Sequence, residues 1–221
     1  MKRLAAIVLV IVMVFTFAAC GEKEVEKSAG TDELVGGWSL ADLHKLTDEQ
    51  IELFNKAMAE LDGVDYTPVA YIGSQVVAGT NHRFLARAKG VYPGATETYA
   101  LVTIYEDLEG NLEILDIVDS GAETGISEDD GAWAAIDDNA LTDEIMAAFE
   151  KATETLTGAE ITPVCVVAEQ IVAGTNYMIF CETKPSVAEL DSGVPGYAMV
   201  TLYVDLEGNS EITDIVDFTA E

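Results

Sequence analysis

Histidine occurs only twice in 221 residues, as His44 and His82, and cysteine only three times. A Cys–His nucleophile pair needs the two side chains close together, but both histidines lie in the first half of the chain while Cys165 and Cys181 lie in the second. No nucleophile elbow or phosphate loop is present. Asp107-Leu108-Glu109-Gly110-Asn111 lacks the ligand spacing of a calcium loop. The reading is therefore a chain that is not an enzyme, with no catalytic residue, cofactor, metal ligand or small-molecule substrate. Basic residues are scarce too, 11 Lys and Arg against 40 Asp and Glu, for a net charge of −29. So acidic a surface repels phosphate backbones and anionic head groups, which argues against nucleic acid and peripheral lipid as partners. The acids are scattered and 49% of residues are hydrophobic, the composition of a folded protein and not of an acidic disordered tail.

Long hydrophobic runs are also few. The one at Leu4–Phe17 follows Met1-Lys2-Arg3 and precedes Ala18-Ala19-Cys20. It is shorter than the roughly 20 residues a helix needs to cross a bilayer, and its flanks are those of an export signal. Phe17-Ala18-Ala19-Cys20 resembles a bacterial lipobox. The resemblance implies that 1–19 is a signal peptide and Cys20 the lipid-modified first residue of a mature protein held to the cell membrane, facing outside the cytoplasm. The alternative is an ordinary secretory signal with a coincidental cysteine. Without residues 1–19 the basic count falls to nine and the acidic count stays at 40, leaving −31.

The chain repeats itself. An offset of 95 superposes Trp38 on Trp133, Leu46-Thr47-Asp48 on Leu141-Thr142-Asp143, and Gln75 to Asn81 on Gln170 to Asn176; an offset of 98 superposes Tyr105 to Asn111 on Tyr203 to Asn209. The expected division is a tether at 20–34, domains at 35–119 and 131–221, and a linker at 120–130 rich in Gly, Ser and acid. Each copy reads as strand, helix, then four strands. Thr47 with Gln50 three residues on forms a capping signature, and Leu46 can staple against Ile51. Ile51, Phe54, Met58 and Leu61 share a helical face of about four turns, echoed by Met146, Phe149 and Leu156. Strands follow at 67–77, 80–89, 99–108 and 112–118, an antiparallel meander.

Gln75-Val76-Val77-Ala78-Gly79 and Gln170-Ile171-Val172-Ala173-Gly174 fall between the second and third strands, with Gly36-Gly37 and Gly131 about forty residues upstream. In this the chain resembles the cystatins, which carry a Gln-x-Val-x-Gly loop between those strands and a glycine ahead of their helix. The resemblance spans nearly all of the chain after the signal peptide. It implies an α+β protein of two tandem cystatin-like domains, each an antiparallel sheet of about five strands wrapped around one helix. It also implies inhibition of papain-like cysteine proteases by a wedge of the N-terminal strand, the loop and the last hairpin. Protease-binding residues would be Gly36, Gly37, Gln75, Val76, Val77, Ala78, Gly79 and Leu108, with Gly131, Gln170, Ile171, Val172, Ala173, Gly174 and Leu206 in the second copy. The physics of the loop suits that role, since apolar side chains at a hairpin tip face water unless a partner covers them. Gly79 and Gly174 permit a positive φ and a close backbone approach, and Gln75 can hydrogen-bond across the loop. Read structurally, the same residues are a strand end with a tight turn.

The sequence departs from the family at the last hairpin. Many secreted cystatins place Pro-Trp there, whereas these turns read Leu-Glu-Gly-Asn. Leu108 and Leu206 supply a weaker apolar contact or belong to ordinary hairpin turns. Trp38 and Trp133 read as core or helix-packing residues. Cys165 and Cys181 are equidistant from Ala173 and replace Ala70 and Ala86 of the first copy, so a symmetric hairpin would pair them as a disulfide; the alternative is two free thiols in the core. The leading expectation is a membrane-anchored inhibitor of papain-like proteases, and the second a non-inhibitory binding module of the cell envelope.

Overall fold

Thr47 opens the first helix through a reciprocal cap. Its hydroxyl accepts the Gln50 N–H at 3.2 Å, and the Gln50 side chain accepts the Thr47 N–H at 2.9 Å. The computed structural model describes residues 37–41, 45–186 and 195–218. Cys20, Gly36 and His44 lie outside the described residues, as do the expected signal peptide and tether. Helix α1 (Asp48–Met58) has 11 residues, three turns in place of the expected four. It ends before Leu61, which is exposed, and the chain reverses at Gly63 with φ +96°. Helix α2 (Asp143–Thr153) is capped by the Thr142 hydroxyl without the return bond. It buries Ile145 and Phe149, while Leu156, expected on that face, lies beyond the helix and is exposed.

The strands form two antiparallel sheets, each in chain order. In the first are β1 (Trp38–Leu40), β2 (Val64–Val77), β3 (Gly79–Gly90), β4 (Glu97–Glu106) and β5 (Leu112–Glu123). In the second are β6 (Ala134–Ala135), β7 (Ala159–Val172), β8 (Gly174–Pro185), β9 (Gly196–Asp205) and β10 (Ser210–Asp217). Strand β5 runs through Glu123, so residues 120–123 of the expected linker are sheet.

Successive residues of the central strands are apolar, so both faces of each sheet need cover. Phe84 and Ala86 of β3 join Val102 and Ile104 beneath Phe54 of α1. Leu85, between them, points to the opposite face with Ala70, Ile72, Tyr99 and Leu101. The second repeat divides likewise: Ile179, Cys181, Val200 and Leu202 lie under Ile145 and Phe149, while Val167, Met178, Phe180, Tyr197 and Met199 take the other face. The two helix-free faces form one continuous buried cluster.

This corrects the expected architecture. In place of two α+β domains, each a sheet wrapped around its own helix, the protein is mostly β, with 56% strand and 13% helix among the described residues. Its two five-stranded sheets pack face to face, each with a short helix on its outer side, and residues 33–221 form one compact unit. The physical reason is area. A three-turn helix that fully buries only Phe54 covers part of one sheet face, and nothing but a second sheet of equal size can cover the other.

Equivalent strands oppose each other across the shared core, β2 against β7 and β5 against β10. Two facing sheets related by rotation keep that correspondence only if the axis crosses the strands, which reverses the strand direction. The hairpin ends of the two repeats therefore point opposite ways. Contacts at the seams agree. Arg83, near the β2–β3 tip, reaches the Tyr197 hydroxyl (3.0 Å) at the start of β9, far from its own repeat's tip. Trp133, close to the β7–β8 tip, sits against Gly125 beyond the far end of β5.

Candidate functional site

The β2–β3 hairpin closes over one residue, Ala78, with Val77 paired to Gly79 and Val76 to Thr80. Gly79 has φ +130°, and a Cβ there would lie 2.3 Å from the Glu106 carbonyl oxygen and 2.8 Å from the Tyr105 ring. Only glycine fits. The close approach expected of this residue is thus made to the neighbouring strand of its own sheet. The Tyr105 hydroxyl crosses the tip and donates to the Ala78 carbonyl at 2.5 Å, and Asn81 Nδ2 donates to Gln75 Oε1 at 2.8 Å across the hairpin neck. The second repeat reproduces each bond. Tyr203 donates to the Ala173 carbonyl at 2.6 Å, Asn176 to Gln170 Oε1 at 2.8 Å, and Gly174 has φ +130° with the Val204 carbonyl oxygen 2.3 Å from its absent Cβ.

Beside each tip lies the next turn. Asp107 Oδ1 accepts the N–H groups of Glu109 and Asn111 while Oδ2 accepts Asn111 Nδ2 at 2.7 Å. Asp205 does the same with Glu207 and Asn209. The Asn111 side chain, then its backbone N–H, holds the Asp107 carboxyl below its ordinary range, and Asn209 acts likewise on Asp205. Lys56 of α1 and Lys151 of α2 donate to the Gly110 and Gly208 carbonyls at 3.4 and 3.3 Å, tying each turn to its helix.

With the backbone so fixed, the side chains at these tips face water. Val76 is 63% and Leu108 86% exposed; Ile171 is 65% and Leu206 85% exposed, and Val77 and Val172 are also exposed. Each repeat thus presents an edge made of a hairpin tip and the adjoining turn, apolar at its crest and acidic at its flanks, where Asp107 and Glu109 or Asp205 and Glu207 border the leucine. Strand β1 enters beside the first edge, with Trp38 paired to Gln75. Gly37, just ahead of it, is exposed. In the second repeat Gln170 Nε2 donates to the Gly131 carbonyl at 2.8 Å, which attaches the upstream glycine to the loop.

Trp38, expected in the core or against the helix, is in neither place and is half-buried. Its ring lies under the Arg83 guanidinium, 3.8 Å from Cζ to centroid, at the seam between the sheets. Trp133 packs against the shared core. The expected disulfide is also corrected, because Cys165 and Cys181 are both free and buried. Two bulges, between Pro163 and Cys165 and between Val166 and Ala168, shift the β7–β8 register so that Cys165 faces Phe180 and Cys181 faces Pro163. Cys165 then lies in the core between the sheets and Cys181 in the core under α2. Burial pushes the Cys165 thiol up to about 12 and raises Cys181 as well.

Sequence reasoning missed the clamps made by Tyr105, Tyr203, Asn81 and Asn176. Their signal was present, since all four recur at the repeat offsets. Also missed was a polar chain in the first repeat only: the Tyr71 hydroxyl is 2.9 Å from His82 Nδ1, and His82 Nε2 is 3.2 Å from Glu106. The second repeat has Val166, Tyr177 and Val204 at those positions. Among the described residues no group of three His, Cys, Asp or Glu is placed to hold a metal ion. No family model matches the chain, and no curated protein matches its sequence.

Proposed function

We propose that this protein is a membrane-anchored inhibitor of papain-like cysteine proteases, tethered through a lipid on Cys20 and acting through its Gln-x-Val-x-Gly hairpin edges. The observation that carries the reading is the same in both repeats: an exposed apolar crest on a backbone fixed by the tyrosine clamp, the Gln–Asn bond and the Asx turn. A preorganised edge loses little conformational entropy on docking. Burying the crest yields about 25 cal/mol per Å² of apolar area before association costs. A one-residue turn whose carbonyl is occupied by tyrosine also suits a wedge, because it offers an entering protease no extended strand to cut. The acidic flanks favour a cleft with a basic rim.

The test is titration of the fragment from Gly21 onward against papain and a cathepsin with a fluorogenic substrate. Tight competitive inhibition is expected, weakened roughly tenfold by Leu108→Ala combined with Leu206→Ala. No inhibition at high micromolar concentration sinks the reading. The Leu-Glu-Gly-Asn turns, in place of Pro-Trp, would then point to a non-inhibitory binding module of the envelope.

A further inference from the structure

The two edges are chemically alike but sit at opposite ends of the molecule. Because β2 lies over β7 with reversed direction, their tips are separated by about one strand length. For the 14 residues of each strand that is on the order of 40 Å at ~3.3 Å per residue. A standard protein interface covers about 800 Å² per partner, a patch roughly 30 Å across. A partner seated on one tip therefore leaves the other free. Each edge is also complete in itself. The clamp, the neck bond, the Asx turn and the lysine tie of either repeat come from that repeat alone. Among the described residues the repeats meet at the two seams, Arg83 with Tyr197 at one and Trp133 with Gly125 at the other, and in the sheet core.

We infer that the protein binds two copies of the same partner at once, one on each end. The inference rests on the inhibitory reading, so the partner it commits to is a papain-like protease. The common edge chemistry, an apolar crest between Asp107 and Glu109 or between Asp205 and Glu207, calls for one kind of cleft at both ends.

The experiment is calorimetric titration of papain into the full chain in mild detergent, read as stoichiometry, with parallel inhibition assays. Two papain molecules per chain are expected. Val77→Asp and Val172→Asp place a charge on one crest each, at positions 44% and 46% exposed, and the unfolding midpoint of each variant, measured alongside, is expected to stay in place. Each single variant should bind one papain, and the double variant should lose binding by tenfold to a hundredfold or more. One papain per wild-type chain with both single variants still binding one would show that the edges exclude each other. One papain with binding lost in a single variant would show that only one edge is competent. Either result overturns bivalence and leaves the inhibitory reading intact, whereas no binding and no inhibition by the wild type overturns both.

Discussion

Gly79 and Gly174 hold a conformation that no other residue adopts without cost, and their absent Cβ atoms would overlap the carbonyl oxygens of Glu106 and Val204. Gly79→Ala should destabilise the fold by roughly 1–3 kcal/mol and open the tip. The checks are a lower midpoint in urea and faster amide exchange at Thr80. Tyr105→Phe removes only the bond to the Ala78 carbonyl, at about 1 kcal/mol, and leaves the backbone path intact. The Asp107 and Asp205 carboxyls should titrate by NMR below the 3.8 of an unperturbed aspartate. The sign follows: a depressed folded value gives each turn its support above that pH, lost as pH falls through the folded value. Asn111→Ala should bring the Asp107 midpoint back up. The buried thiols behave oppositely. Cys165 is neutral in the fold up to about 12 but ionises near 9 when unfolded, so its contribution to stability is full below pH 9 and declines above it. Iodoacetamide at pH 8 should leave Cys165 and Cys181 untouched in the native protein and modify both in denaturant without reductant.

At the level of elements, the two helices differ in one bond. Thr47 and Gln50 cap each other, whereas Thr142 has Ile145 at the third helical position and only half the motif. Thr47→Ala should cost about 1 kcal/mol and Thr142→Ala less, read as shifts of the thermal midpoint. The helix, the order of strands and the hairpin tips were all legible in the sequence, because each is written in neighbouring residues and then written again at the repeat offset; the full cap was legible in the first copy alone, from Thr47 and Gln50. Register was not. Cys165 and Cys181 are symmetric about Ala173, but bulges beyond Pro163 and Val166 turn them to opposite faces, and no local signal separates a bulged strand from a regular one of the same composition. The sheet-to-sheet packing was half legible. Phe84-Leu85-Ala86 and Met178 to Cys181 are unbroken apolar runs, the mark of strands covered on both sides, yet one helix per repeat supplies cover for one side only.

For the whole molecule, a core shared by both repeats means one cooperative unit. Scanning calorimetry should show a single unfolding transition, with calorimetric and van't Hoff enthalpies in agreement, where two independent domains would give two. Residues 131–221 made alone should expose Phe180, Met199 and Val167 and aggregate or dimerise. Such pairing is what the rotation between the repeats describes. Two sheets meeting through the same face, equivalent strand on equivalent strand, form the isologous contact of a symmetric dimer, here closed within one chain. Joining the halves frees the two ends of that contact from having to match. At one seam Trp38, Arg83 and Tyr197 stack with a charge among them; at the other the same positions hold Trp133, Met178 and Tyr99, without one. A true homodimer would have to carry Arg83 at both seams or at neither, so its presence at one alone is an asymmetry that only the fused chain can keep.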